Sequence, residues 1–288
     1  MKIAAPNLPF AYLTGICSTL KTLEDCCNIE LFIWNAEKPL MDVLDEVKPD
    51  LLLLYEYQVD TVLDIASESM NFDYIVLSAT PVKLTKQPAI YITDHEYIKN
   101  FIRYQRNTLM VKPSANVAQI HNGTAFEELE SDICIFNTDI KLGIEHIRTI
   151  EWLVSKYNVK IFGPQKMNFP NYLGDTNIFE RANILKSSKI CLDLGNFDCL
   201  DASYLQVAPV VLNGSKPEYK NFKSIKSLEE ILNDIVYDNK NRQNYCNEVY
   251  KNILQGKTFY HRVAEIFTLL KDQARSRQCL NKLKELIS

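Results

Sequence analysis

The chain has no long apolar run, and that absence removes a whole class of proteins. No stretch approaches the roughly 18 consecutive apolar residues that a spanning helix requires, so no membrane span is expected. The opening residues, Met1-Lys2-Ile3-Ala4-Ala5-Pro6, lack a basic segment followed by a long apolar one, and no secretory signal is expected. No repeat at solenoid spacing and no low-complexity tract is present, which excludes repeat arrays and disordered linkers. The eight cysteines are scattered, and the adjacent Cys26 and Cys27 lack the second pair that a zinc site would need. Cys134 and Cys191 fall inside apparent core strands. Buried free thiols in a reducing cytoplasm, with no metal ligands among them, are therefore expected. A net charge of -4 also argues against a surface that tracks phosphate backbones throughout.

What is present is the pattern of a soluble globular protein, with 47% hydrophobic and 24% charged residues. The length of 288 residues suits one large domain or two ordinary ones, and needs no covalent staples. Short apolar runs alternate with helical periods. In the first third, strands are expected at Lys2 to Ala5, Ile29 to Asn35, Leu51 to Tyr55, Tyr74 to Ser78 and Ala89 to Thr93. Leu51-Leu52-Leu53-Leu54 is continuous, as in a strand covered on both faces. Helices are expected over Leu13 to Cys26, from Leu40 to Val47, over Thr61 to Ser69 and over Asp94 to Tyr104, followed by a short strand from Thr108 to Lys112. Residues 114–130 are polar and without a clear period, and read as a crossing between domains.

A second alternation restarts at Asp132 and runs through strands near 159, 190 and 208. A loop is expected from Gly214 to Phe222, and a helix from Ser227 to Tyr237 with Ser227 and Glu230 at capping-box spacing. Further helices follow over 239–253, 259–270 and 271–288, the last carrying five basic residues against two acidic ones. The expectation is an α/β protein of two tandem Rossmann-like domains with a C-terminal helical extension. Its parts are 1–113, the crossing 114–130, a second domain 131–255, and helices 256–288 packing back across the cleft.

Several segments in the second half carry a family resemblance. Ser131-Asp132-Ile133-Cys134-Ile135-Phe136-Asn137-Thr138 is a strand with a small-residue loop, with Arg148 in the helix after it. Ile161-Phe162-Gly163-Pro164, Tyr172-Leu173-Gly174, the run from Ile184 to Leu192, and Thr258-Phe259-Tyr260-His261-Arg262 follow in order. Together they resemble GT-B fold glycosyltransferases of the CgeB-like and family-1-like groups, well over residues 130–270 and at fold level before that. The pattern is departed from between Asn196 and Pro209: no Arg is present there, Val207 stands for a Gly, and Asp201 is one residue out of register.

The resemblance implies transfer of a hexosyl group from a nucleotide-sugar, for example a UDP-sugar, to a glycan, small-molecule or protein acceptor. The nucleotide-sugar is a substrate, and no other cofactor is expected. No Asp-x-Asp triplet follows a strand, so divalent metal is not called for. Asn137, Thr138 and Lys141 follow a strand end and are the phosphate-side candidates. Gly163, Pro164 and Gln165 are expected near the base. Asp193, Asn196, Asp198 and Asp201 are the remaining donor-side candidates, with Asp198 or Asp201 for the ribose. Glu56, Asp94 and His95 follow first-domain strands, where an inverting enzyme would place its general base. The alternatives are a non-catalytic GT-B-like nucleotide or partner-binding module, a tandem Rossmann-like binding protein without sugar chemistry, and a viral-type glucosyltransferase of DNA bases. The acidic balance disfavours nucleic acid as a partner.

Overall fold

The computed structural model describes residues 1–6, 14–27, 29–34, 38–55, 73–77, 90–93, 108–110, 114–136, 142–164, 166–194, 199–212 and 218–288. The helices expected at Thr61 to Ser69 and Asp94 to Tyr104 lie outside the described residues. The chain divides into two compact units, one of Met1–Lys112 with Phe259–Ser288 and one of Pro113–Thr258.

The first unit opens with β1 (Lys2–Pro6), α1 (Thr14–Cys27), β2 (Glu30–Trp34), α2 (Leu40–Val47) and β3 (Leu51–Tyr55). It continues with β4 (Asp73–Leu77), β5 (Ile90–Thr93) and β6 (Thr108–Met110). The apolar positions Val43, Leu44 and Val47 bury one face of α2. Lys48 ends that helix in the left-handed region at φ 48°, its N–H donating to the Leu44 carbonyl, and Pro49 prevents continuation. The six strands form a parallel sheet in the order β2-β1-β3-β4-β5-β6. Ile3, Ala4, Ala5 and Leu51 to Leu53 are buried, as adjacent residues must be when both faces of a sheet are covered.

The second unit begins with α3 (Val117–Ile120) and a 3-10 turn at Glu127–Leu129, both inside the segment read as a crossing between domains. It then runs β7 (Ser131–Phe136), α4 (Ile144–Lys156), β8 (Val159–Phe162), α5 (Ile178–Lys186), β9 (Ser188–Asp193), α6 (Leu200–Tyr204) and β10 (Ala208–Leu212). β11 (Lys220–Phe222), α7 (Ile225–Ile235) and α8 (Asn239–Leu254) complete it. Its parallel sheet has the order β11-β10-β9-β7-β8. Counted within each unit, the first five strands follow one topology, second-first-third-fourth-fifth.

One sheet face presents Ile133, Ile135, Val159, Ile161, Ile190, Leu192, Ala208 and Val210, packed against Ile150 and Leu153 of α4 and Leu228, Leu232 and Ile235 of α7. The alternate residues Cys134, Phe136, Cys191 and Asp193 occupy the opposite face. Hydrogen bonds with Cys134 and Cys199, together with complete burial, push the Cys191 thiol well above its ordinary range.

Two boundaries differ from expectation. Residues 220–222, expected in a loop, pair in parallel with β10 from Val210 to Leu212. The cap of α7 is Ser224, whose hydroxyl accepts from the Ser227 N–H while the Ser227 hydroxyl accepts from the Ser224 N–H. Ser227 is thus the third helical residue, and the helix begins earlier than the Ser227–Glu230 spacing implied.

The chain returns to the first unit as α9 (Phe259–Leu269) and α10 (Gln273–Ile287). α1 packs against both, and α9 packs along α10. Tyr260 is fully buried and its hydroxyl donates to the Asp25 carboxylate of α1.

Candidate functional site

In open parallel sheets ligands bind beyond the strand C-termini, at the point where successive connections leave in opposite directions. In the second unit this point lies between β7 and β9, neighbours in the sheet with β8 on one side and β10 on the other. β7 ends at Phe136 and β9 at Asp193. The sequence that follows β7 contains Asn137, Thr138 and Lys141, and that after β9 contains Asn196 and Asp198. Those five residues, with Gln165, lie outside the described residues.

The described rim is built mainly of Phe136, Phe162, Gly163, Pro164, Arg181 and Asp193. Phe136 and Phe162 are register partners, and their rings stack with centroids 5.7 Å apart. The guanidinium carbon of Arg181, from α5, sits 5.4 Å from the Phe136 ring centroid, within cation–π range. This places a fixed positive charge beside the end of β7. Sequence reading missed Arg181, because nothing local connects a mid-helix arginine with a strand end 45 residues earlier. Asp193 is buried at the end of β9 on the same sheet face as Phe136, with 7% of its surface accessible.

Gly163 takes φ 149° immediately after β8, a conformation that disfavours any side chain. Its N–H donates to the Gly174 carbonyl at 2.8 Å, and its carbonyl accepts from the Tyr172 hydroxyl at 2.6 Å. Gly174 also has positive φ, at 102°. Together with Ile161 N–H to Asn171 and Leu173 N–H to Ile161, these bonds lay residues 171–174 along the outer edge of β8. The two glycines therefore fix the rim turn while satisfying an otherwise open sheet edge.

Asp201 has a different setting. It is 4% exposed on α6, and its carboxylate accepts the Asn116 backbone N–H at 2.8 Å and the Asn116 amide at 2.9 and 3.1 Å. The carboxylate fastens the 114–130 segment to α6. The same segment is held by His121 Nδ1 and the Tyr204 hydroxyl at 2.8 Å, by Thr124 N–H to Asn183, and by Phe126 N–H to Ser187. A Cβ at Gly123 would stand 3.0 Å from the Ala182 Cβ, tighter than ordinary contact, so glycine favours that close approach to α5. These bonds explain why residues 114–130 belong to the second unit.

Among the first-unit candidates, Glu56 follows β3 in sequence, and Asp94 and His95 follow β5. All three lie outside the described residues. No helix among the described residues is long and apolar enough to cross a membrane.

No protein-family model matches this sequence, and no curated protein matches it. Solved structures do match in shape across nearly the whole chain. The Anabaena protein HepE, in complex with UDP and glucose, superposes with TM-score 0.61 at 9% identity, covering 94% of this chain and 99% of that one. The sucrose-phosphate synthase of Thermosynechococcus elongatus gives 0.60 at 7% identity, covering 94% and 98%. The UDP-GlcNAc 2-epimerase of Neisseria meningitidis, bound to UDP-GlcNAc, gives 0.56 at 11% identity, covering 94% and 99%. The fold is therefore that of the GT-B proteins: two parallel α/β units with similar internal topology.

Proposed function

We propose that this chain is a hexosyl-type glycosyltransferase, akin to the CgeB-like and family-1-like groups, whose second unit holds a nucleotide-sugar donor. The observation that carries the reading is the connection reversal between β7 and β9, followed in sequence by the polar candidates on both sides. Amides of residues 137–141, with Lys141 and Arg181, would hold the diphosphate without a divalent ion. Gly163, Pro164 and Gln165 would form the wall beside the base, and Asp193, Asn196 and Asp198 would serve the ribose and sugar. Asp201 is the weaker ribose candidate, because both its oxygens already accept from Asn116. The acceptor would bind the first unit, where Glu56, Asp94 or His95 supplies the base. Uridine nucleotides are the first probes, because HepE and the Neisseria epimerase are described with UDP and UDP-GlcNAc.

A thermal-shift panel of uridine, guanosine, thymidine and adenosine diphosphates, with their sugars, tests the donor site. A ligand at about 100 times its Kd should stabilise by about 2.7 kcal/mol. Arg181→Met should weaken binding by about tenfold, the loss of one charge–phosphate contact worth about 1.4 kcal/mol. Failure of every nucleotide to stabilise the protein sinks the donor reading. The missing Arg and Gly around Asp201 motivate one alternative, a nucleotide-binding module without turnover. Donor hydrolysis separates the two: binding with no hydrolysis and no transfer to any acceptor supports the module.

A further inference from the structure

The first unit contains a convergence that the donor reading does not use. Cys26 and Cys27 end α1, and α10 passes this end so that Cys279 meets both. The sulfurs form a triangle with sides of 2.9 Å (Cys26–Cys279), 3.2 Å (Cys27–Cys279) and 3.4 Å (Cys26–Cys27). All three are buried, at 4%, 5% and 0% exposure. We propose that Cys26, Cys27 and Cys279 form a three-thiolate site for a thiophilic closed-shell cation, zinc or cuprous copper.

The triangle has the right size. With a metal–sulfur bond of about 2.3 Å, a cation equidistant from these sulfurs sits roughly 1.4 Å above their plane. Opening to a tetrahedral arrangement would move each pair apart by less than about 1 Å. Cuprous copper is satisfied by soft thiolate ligands. Zinc takes a fourth ligand, and Cys26 lines an open hollow of about 520 Å³ from which water can supply it. The hollow also provides an entry path between Asp25, Arg277, Asn281 and Lys282. Asp25 already accepts from the Tyr260 hydroxyl.

Binding would release the thiol protons to solvent and leave three thiolates on the metal. Arg277 and Lys282 line the hollow together with Glu24, Asp25 and Glu285. A Cys26–Cys279 disulfide would draw only two sulfurs together, to about 2.05 Å, and leave Cys27 a buried thiol beside it. A metal uses all three.

The test is metal content of the full-length protein, purified anaerobically with a phosphine reductant and offered zinc in one arm and cuprous copper in the other. Stoichiometric retention of either metal through gel filtration is expected. Cobalt in place of zinc should give a sulfur-to-metal charge-transfer band. Cys279→Ser should lose both signals, while Cys246→Ser, in the second unit, should keep them. If Cys279→Ser does not fold, alkylation of the wild type during urea unfolding replaces it. Metal should then delay labelling of Cys26, Cys27 and Cys279 together and leave Cys246 unchanged. No retained metal in either arm, equal retention by folded Cys279→Ser, unchanged labelling, or isolation as a Cys26–Cys279 disulfide would overturn the proposal.

Discussion

Removing the Asp201 carboxylate separates the fastening of residues 114–130 from the proposed binding of a ribose. In Asp201→Ala the Asn116 backbone N–H loses its 2.8 Å acceptor, and the Asn116 amide loses bonds of 2.9 and 3.1 Å. The half-buried amide can turn to solvent, but the backbone N–H is held by the fold. A hydrogen bond to a charged group contributes about 1.5–3 kcal/mol, and leaving a buried donor unmet adds to the loss, so about 3 kcal/mol is expected. Asp201→Asn keeps one oxygen for the backbone N–H and should cost about 1 kcal/mol. For a unit of this size the melting temperature should fall by roughly 3 °C per kcal/mol, hence roughly 9 °C for Ala and 3 °C for Asn. Calorimetry of the full chain, following the transition of the second unit, measures both. Nucleotide stabilisation measured below the lowered transition should persist. An Asp201→Ala protein melting within about 2 °C of wild type while losing nucleotide binding would refute the fastening role and return Asp201 to the ribose.

Three further outcomes follow. Ser224→Ala should cost about 1 kcal/mol in the denaturation midpoint, because it removes the acceptor for the Ser227 N–H, whereas Glu230→Ala should change it by less than about 0.5 kcal/mol. Gly123→Val should destabilise the second unit by about 1–3 kcal/mol, through contact with Ala182 at a distance already 3.0 Å for a bare Cβ, read by the same denaturation. Burial, aided by the neighbouring Arg262 and opposed by Glu265, lowers the His261 pKa in the folded state. The unfolded chain then takes up the proton first, so the stability contribution is full above about pH 6.5 and lost as pH falls toward the folded value. Melts from pH 8 to 5 should show a decline that His261→Gln reduces; an identical profile in both proteins would exclude this residue as its source.

Much of the fold was legible because buried parallel strands are written as continuous apolar runs, and amphipathic helices as a recurring period. Leu51 to Tyr55, Ser188 to Asp193 and Ala208 to Leu212 are such strands, and they lie where the pattern placed them. Lys220–Phe222 escaped because a three-residue strand with one buried side chain has no period to detect. Ser227 looked like a cap because it is followed three residues later by Glu230, and Ser224 has no such partner in sequence. At the candidate site the order of polar residues after strands was readable, but Arg181 over Phe136 was not.

The sequence by itself determined the alternation of elements, the two-unit layout and the residues that follow each strand end, since all three are local patterns of polarity along the chain. Tertiary structure decided the strand order, and with it the reversal between β7 and β9. It also decided which side chains meet: Asp201 with Asn116 across 85 residues, and Cys26 with Cys279 across 253. A lone cysteine pair in α1 was incomplete as a sequence motif. Its third sulfur arrives only because packing brings α10 against the end of α1, and no local pattern encodes a distance in space.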